Sequence, residues 1–217
     1  MRRPYVAVYS TMTIDGRIAS RTGFSKLSCP YDLKRLHSVR ASSDAIIVGA
    51  NTVIVDDPLL TVRYVKGRNP VRVIIDGSLR TNPSARVYNT LNEAKTIVYT
   101  SKKSDKKKKE ILRRKGVEVV ELSDDVLLDV LSILEDLYMR GVRRVLVEGG
   151  GRTIWSFISR RVVDELMITI APYVFGNGVS VVEGGGFNDI TDALSFKLAE
   201  LRICECGKEL HVRYIRE

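Results

Sequence analysis

Glutamine is absent from all 217 residues, tryptophan occurs once, histidine twice and cysteine three times. No apolar run approaches the eighteen or so residues that a membrane-crossing helix requires, and no polar low-complexity tract interrupts the chain. A soluble globular protein is therefore expected. The opening "MRRPYVAVYS" lacks a signal peptide's long apolar core and small-residue cleavage site, so it reads as the first strand of a cytoplasmic protein. An odd number of cysteines argues against a disulfide framework, and two histidines remote in sequence argue against a zinc ligand set. Cys204 and Cys206 fall in an alternating segment, where they would share one strand face in a buried structural role. The missing Gln beside plentiful Lys, Arg and Glu is the direction in which hyperthermophile compositions drift.

What is present is a basic chain of one-domain size, so a single domain over 1–217 is expected. Much of its net charge of +9 lies in "SKKSDKKKKEILRRKG", residues 101–116. This run has no interleaved aromatics to stack bases and reads as a solvated helix face, dispensable for catalysis, rather than a nucleic-acid arm. A positive surface also speeds capture of small anions such as phosphorylated metabolites.

Apolar runs of strand length recur: "YVAVYSTM", "DAIIVGA", "VRVIID", "KTIVYT", "VEVVEL", "RRVLVEGG" and "ELMITIAPYVF". Most are continuous and β-branched, as strands covered on both faces are. Between them, helices are expected in "CPYDLKRLHSVRAS" with Ser28 as cap, in "DKKKKEILRRKG", and in "DDVLLDVLSILEDLYMRG". Strand and helix in alternation give an α/β fold with a largely parallel central sheet flanked by helices. "FKLAELRICECGKELHVRYIRE" departs from that rhythm and reads as an antiparallel C-terminal hairpin around "CGKE".

Four segments could carry chemistry. In "RRVLVEGGGRTIW" a strand ends at Glu148, three bare residues follow, and a helix begins near Arg152. Free N–H groups and a helix N-terminus at the carboxyl edge of a parallel sheet are where phosphates bind, and Gly149, Gly150 and Gly151 remove side chains that would hold a pyrophosphate off. The pattern is neither GxGxxG nor a P-loop, and a tight strand-to-helix turn would need the same glycines. In "DAIIVGANTVIVDDPLLTVR" a strand ends at Gly49 and polar groups at Thr52, Asp56, Thr61 and Arg63 return toward its end. "TMTIDGRIAS" places a turn at Asp15 and Gly16, and "RVIIDGSLR" ends another strand on an acid and a glycine.

Taken in order, "STMTIDGRIAS", "DLKRLHSVRASSDAIIVGANTVIVDDPLLTVR", "NPVRVIIDGSLR", "LVEGGG" and "VDELMITIAPYVFGNG" resemble the reductases of the riboflavin pathway. The resemblance implies a dihydrofolate-reductase-like fold and NADPH-dependent reduction of 2,5-diamino-6-ribosylamino-4(3H)-pyrimidinone 5′-phosphate or its deaminated counterpart. It implies cofactor contacts at Thr52, Asp56 and Gly77, a pyrophosphate loop at Gly149, Gly150, Gly151, Arg152 and Thr153, and further contacts at Gly176 and Gly178. Substrate contacts would come from Ser25, Arg40, Leu60, Arg63 and Glu148. Asp56 and Glu148 are the carboxylates expected near the reacting atoms, with the proton coming from one of them or from water. Ser78, Arg80, Ser101 and Lys102, just beyond two strand ends, could hold an adenosine 2′-phosphate. The HxE and PCxxC ligands of the bifunctional relatives' zinc deaminase are absent, so the resemblance implies a stand-alone reductase with no metal, acting on a small phosphorylated pyrimidine as a homodimer, with neither nucleic acid nor membrane as partner. Two positions depart from the pattern: Tyr9 stands where some relatives carry Lys, and Lys26 where some carry Trp.

Overall fold

Val- and Ile-rich stretches bounded by Gly, Asp and Asn fold as strands, since β-branched side chains suit a pleated surface. The computed structural model describes residues 2–217. In chain order these form β1 (Tyr5–Thr13), β2 (Arg17–Ser20), α1 (Pro30–Ala41), β3 (Ala45–Gly49), α2 (Ala50–Asp56), β4 (Val71–Ile75) and α3 (Arg86–Asn89). There follow β5 (Thr96–Ser101), α4 (Lys106–Arg114), β6 (Glu118–Ser123), α5 (Val130–Met139), β7 (Arg144–Val147) and α6 (Gly151–Ser159). The chain closes with β8 (Glu165–Ala171), β9 (Gly178–Ser180), β10 (Phe196–Ile203) and β11 (Leu210–Arg216).

The fold divides into two compact units, one built from His37–Leu146 with the first residues up to Pro4, the other from Tyr5–Leu36 and Val147–Glu217. In the first, strands run in the order β7-β3-β4-β5-β6, and β3 to β6 pair parallel. Gly49 lies opposite Ile75 and Ile75 opposite Tyr99, so the carboxyl ends of three strands line up on one edge. Ile46, Ile47, Val73, Ile74 and Val98 are buried, as continuous apolar strands covered on both faces should be. In the second unit the order is β10-β11-β8-β1, with β1 parallel to β8 and β11 antiparallel to both neighbours. β2 and β9 form a separate antiparallel ladder. The parallel α/β architecture and the C-terminal hairpin expected from the sequence are both present.

Four local expectations are corrected. The helix expected from residue 124 starts six residues later, capped by the Asp129 carboxylate accepting the Leu131 N–H at 3.3 Å. Ser123 and Asp125 spend their side chains on nearby backbone, Ser123 donating to the Asp125 carbonyl and Asp125 accepting the Leu127 N–H, which competes with helix formation. At α1 the cap is Cys29 rather than Ser28: its carbonyl accepts the Leu33 N–H at 3.0 Å and its sulfur the Asp32 N–H at 3.4 Å. Ser28 instead lies 2.9 Å from the Thr11 hydroxyl. Cys204 and Cys206 sit in the turn between β10 and β11, not on a strand face, because Cys204 N–H to Glu209 O (2.8 Å) and Gly207 N–H to Cys204 O (2.8 Å) close the turn around them.

The lysine run, finally, is only half a solvated face. Lys106 and Lys107 are exposed, but Lys109 points with Leu112 toward the interior, three residues apart on one helix face. Its ammonium donates to the Lys102 carbonyl and to Glu121 Oε2, each at 2.8 Å. Lys108 reaches across to the Leu79 carbonyl at 3.0 Å. Replacing Lys109 by Ala is therefore expected to cost about 1–3 kcal/mol, since the buried ammonium and its hydrogen bond to the Lys102 carbonyl are lost while Glu121 keeps Arg113. Lys106→Ser with Lys107→Ser is expected to leave the urea midpoint unchanged; equal midpoints for Lys109→Ala and wild type would contradict the assignment.

Candidate active site

In the first unit, the segments after β3, β4 and β5 meet at the common carboxyl edge. Asp76, the residue just after β4, accepts the Arg80 and Thr81 N–H groups at 2.9 and 2.8 Å, so this acid braces its own turn. Leu79 is buried at φ 52°, which leaves Ser78 and Arg80 on the surface. Arg80 Nη2 donates to Asn51 Oδ1 at 2.7 Å and ties this turn to α2, whose Thr52 is half-buried and Asp56 exposed. The Gly77 carbonyl accepts the Ser101 N–H (3.0 Å) and the Thr100 hydroxyl (3.1 Å). A Cβ at Gly77 would stand under 3.0 Å from the Val126 carbonyl, so packing alone demands glycine there. Ser101 is fully buried and its hydroxyl accepts the Lys103 N–H at 3.1 Å within its own turn.

The loop after α2 carries two non-glycine residues in the left-handed region, Asp57 (φ 38°) and Leu60 (φ 53°), each costing on the order of 1–2 kcal/mol. Buried Arg72 steadies it, with Nη1 donating to Leu59 O at 3.2 Å while Nη2 donates to Thr90 O and Ala94 O at 3.0 and 2.6 Å. Beyond the loop, Arg40 Nη1 donates to Thr61 O at 3.0 Å and Arg63 Nη1 to Thr61 Oγ1 at 3.0 Å. His37, a residue the sequence did not single out, accepts the Arg63 N–H on Nδ1 at 2.7 Å. Nε2 then carries the proton, so Arg40 Nη1, 3.4 Å away, has no acceptor there. Burial, then the nearby Arg40 and Arg63 cations, pushes His37 down to about 4. Of the sequence-derived substrate residues, Arg40, Leu60 and Arg63 are thus gathered around one strained loop. A cleft of about 470 Å³ at the opposite, amino ends of β4 to β6, lined by Val71, Lys95, Glu118 and Arg140 among others, includes none of them.

In the second unit, Gly149 (φ 99°) and Gly150 (φ 74°) follow half-buried Glu148 in a backbone conformation that side chains resist. Gly150 caps α6 and supplies no side-chain acceptor, so no side chain of the cap residue occupies the helix N-terminus. Gly151 is needed for a different reason: a Cβ there would press on the Ser180 carbonyl, and its own carbonyl accepts the Glu183 N–H at 3.1 Å. Arg152 pairs with Glu183 at 3.2 Å, and Thr153 is half-buried. Asp15 links the first turn to the loop before β9, its carboxylate accepting the Phe175 N–H (3.1 Å) and the Gly176 N–H (2.7 Å). The sequence read this segment as a turn; the structure adds that it anchors the Gly176–Gly178 loop to the start of the chain. Ser25 and Lys26 are exposed.

A buried polar centre in this unit was also missed. Asp32, fully buried, accepts Tyr9 Oη at 2.5 Å, Thr169 Oγ1 at 2.5 Å and Thr11 Oγ1 at 2.8 Å. Burial and the Asp32 charge push the Tyr9 phenol far above its ordinary range, so it stays a neutral donor. The Arg35 guanidinium lies over the Tyr9 ring, 5.3 Å from its centroid. Asp32 in a charged-looking helix start gives no signal of burial; only the threonines on two strands that face it do.

A family model described as the RibD C-terminal domain matches residues 4–212. The chain belongs to that family. Among RibD C-terminal domain relatives, the 2,5-diamino-6-ribosylamino-4(3H)-pyrimidinone 5′-phosphate reductase of Methanothermobacter thermautotrophicus is 39% identical over 217 residues, 98% of each chain. The protein of the same name from Aquifex aeolicus is 38% identical over 205 residues, 91% of each chain. Among solved structures, the Thermotoga maritima diaminohydroxyphosphoribosylaminopyrimidine deaminase/5-amino-6-(5-phosphoribosylamino)uracil reductase superposes with a TM-score of 0.82 at 31% identity. The chain described here is covered to 99% and spans 57% of that longer protein.

The depressed His37 makes a pH test of the Arg40–Arg63 region. Its folded-state value of about 4 against an ordinary 6.5 means that the unfolded chain binds the proton first. Its contribution to stability is complete above pH 6.5 and is lost as the pH falls toward 4, amounting to about 3 kcal/mol in all. His37→Asn, which keeps an acceptor for the Arg63 N–H, is expected to flatten that fall in urea unfolding; an unchanged pH dependence would contradict the assignment.

Proposed function

We propose that this protein is the NADPH-dependent reductase that converts 2,5-diamino-6-ribosylamino-4(3H)-pyrimidinone 5′-phosphate to its ribitylamino product in riboflavin biosynthesis, as one reductase domain over 1–217, in the cytoplasm. The observation that carries this reading is identity of 39% along 98% of both chains with a reductase of that name. The unbroken match of the family model from 4 to 212 supports treating the two units as one catalytic domain.

The residues present fit a dinucleotide. In the second unit, Gly149 at φ 99° has nothing within 4 Å of where a Cβ would stand, so the left-handed backbone rather than local crowding calls for glycine there. Backbone N–H groups of Gly149 to Thr153 would hold the pyrophosphate, with Arg152 beside it and Gly176 and Gly178 as further contacts. In the first unit, Thr52, Asp56 and Gly77 would contact the cofactor, and exposed Ser78 and Arg80 would hold the 2′-phosphate. When bound, NADPH supplies a hydride to the anomeric carbon of the ribosylamine, opened to its imine.

The chain's own contribution is placement and a proton. Arg40, Leu60 and Arg63 in the first unit, and Ser25 and Glu148 in the second, would bind the substrate. Arg63 carries an exposed guanidinium suited to the 5′-phosphate. Of the two carboxylates, Asp56 is exposed at the end of α2, whereas Glu148 is half-buried next to the glycine loop, so Glu148 is taken as the group that orients the ribosyl hydroxyls or donates the proton. A homodimer is part of this reading: Leu198, Leu201 and Ile203 are 50, 58 and 73% exposed on the edge strand β10, an apolar surface that a second copy would cover. Sedimentation velocity checks it, and a monomer at micromolar concentration would remove that part.

Three measurements test the assignment. With the amino and the deaminated substrates offered separately, mass analysis is expected to find the ribitylamino product of the amino form; no product from either would overturn the reading. NADPH is expected to bind roughly a hundredfold more tightly than NADH, with Arg80→Ala narrowing the gap; equal affinities in the wild type would remove the 2′-phosphate site. Glu148→Gln is expected to lower kcat/KM about ten- to a hundredfold with NADPH affinity unchanged. If melting temperature and NADPH affinity fell while turnover of the bound complex survived, Glu148 would be a brace for the turn.

A further inference from the structure

The start of α1 and the turn between β10 and β11 bring together all three cysteines of the chain. Cys29 Sγ lies 3.5 Å from Cys204 Sγ, although 175 residues separate them. The sulfurs of Cys29, Cys204 and Cys206 and a carboxylate oxygen of Glu209 all lie within 4.8 Å of one another. Cys29 caps a twelve-residue helix, so its sulfur lies at the N-terminal end of the α1 dipole. Cys206 accepts backbone hydrogen bonds from Lys208 and Glu209, in a turn opened by Gly207 at φ 72°.

Glu209 supplies an independent observation. It is 3% exposed, and Oε1 accepts the Cys29 N–H at 2.7 Å. Oε2 is buried and has no hydrogen-bond partner among the described residues. A buried carboxylate oxygen without a donor is costly, and a cation bound there would satisfy it. Asp32 and His211 adjoin the same carboxylate, but Asp32 is already committed to Tyr9, Thr11 and Thr169.

We propose that Cys29, Cys204, Cys206 and Glu209 form a structural site for a thiophilic divalent cation, zinc above all. Tetrahedral zinc, at about 2.3 Å from sulfur and about 2.1 Å from oxygen, sets its ligand atoms roughly 3.5–3.8 Å apart, so closure needs movements of about 1 Å. Three thiolates select zinc over magnesium or calcium, and four protein ligands leave no open position for substrate. The metal would clamp the C-terminal hairpin to the first turn of α1 and release the thiol protons as it binds. This departs from the metal-free expectation drawn from the resemblance, and does not depend on the proposed reductase activity.

The test uses the full chain, without a histidine tag, reduced and titrated anaerobically with cobalt(II). Saturation at one cobalt per chain is expected, with sulfur-to-cobalt charge-transfer absorption in the near ultraviolet and the visible bands of a tetrahedral site, all abolished by added zinc. Cys206→Ser and Glu209→Gln should each weaken cobalt binding at least tenfold, by analogy with the roughly 10–100-fold cost of removing even outer partners of a metal site. As a check that needs no variant, zinc should slow alkylation of the three thiols in the wild type, and a chelator should restore it. Absence of the charge-transfer band, unprotected thiols in excess zinc, or a Cys29–Cys204 disulfide in a protein that takes up no zinc after reduction would overturn the proposal.

Discussion

Three glycines press against backbone carbonyls so closely that no Cβ can stand between: Gly77 against Val126, Gly151 against Ser180 and Gly178 against Ala19. Much else in the two units depends on these approaches. The first lets the non-helical stretch before α5 lie over the end of β4, where the Gly77 carbonyl also ties in β5 through Ser101. The second and third bring the β9 region onto the start of α6 and onto β2, and the Glu183 N–H completes the contact by donating to Gly151. Loops joined backbone to backbone have few side-chain degrees of freedom to lose, so the strand ends are held in place without bulky groups around them. The proposed pyrophosphate loop would use the same bareness, so packing and the proposed ligand would call for glycine at adjacent positions.

Polar groups do the complementary work inside. Arg72 spends its guanidinium on loop carbonyls, and burial lowers it to about 10. His37 and Asp32 each organise one unit's polar interior, the first by accepting a backbone N–H, the second by accepting three hydroxyls. Asp32 is buried because its hydrogen bonds are met within the fold, and His37 is held neutral by burial and two nearby guanidiniums. The strained backbone at Asp57 and Leu60 persists beside them because Arg72 and the Arg40–Thr61 contact over-determine the loop.

The strands could be read directly because each is a short β-branched run ended by Gly or Asp, and the parallel order follows from helices between them. The expected carboxyl-edge segments around Thr52, Gly77 and Arg80 do meet, since α/β connections leave few alternatives. What could not be read is whatever depends on partners remote in sequence. Lys109 looks like its exposed neighbours until β6 supplies Glu121. Cys204 and Cys206 look like strand residues until the turn closes on them, and nothing near position 29 announces that its thiol meets theirs. Side-chain pattern over a few residues reports the local period; it carries no information about a contact 175 residues away.

The proposed reaction is hydride transfer from a dinucleotide held by the glycine loop to the sugar carbon of the pyrimidine substrate. The most direct measurement offers the enzyme NADPH carrying deuterium at the transferable position of the nicotinamide and locates the label in the product. One deuterium is expected at C1′ of the ribityl chain, from one face of the nicotinamide only. A product with no deuterium, or with deuterium on the pyrimidine ring, would contradict it.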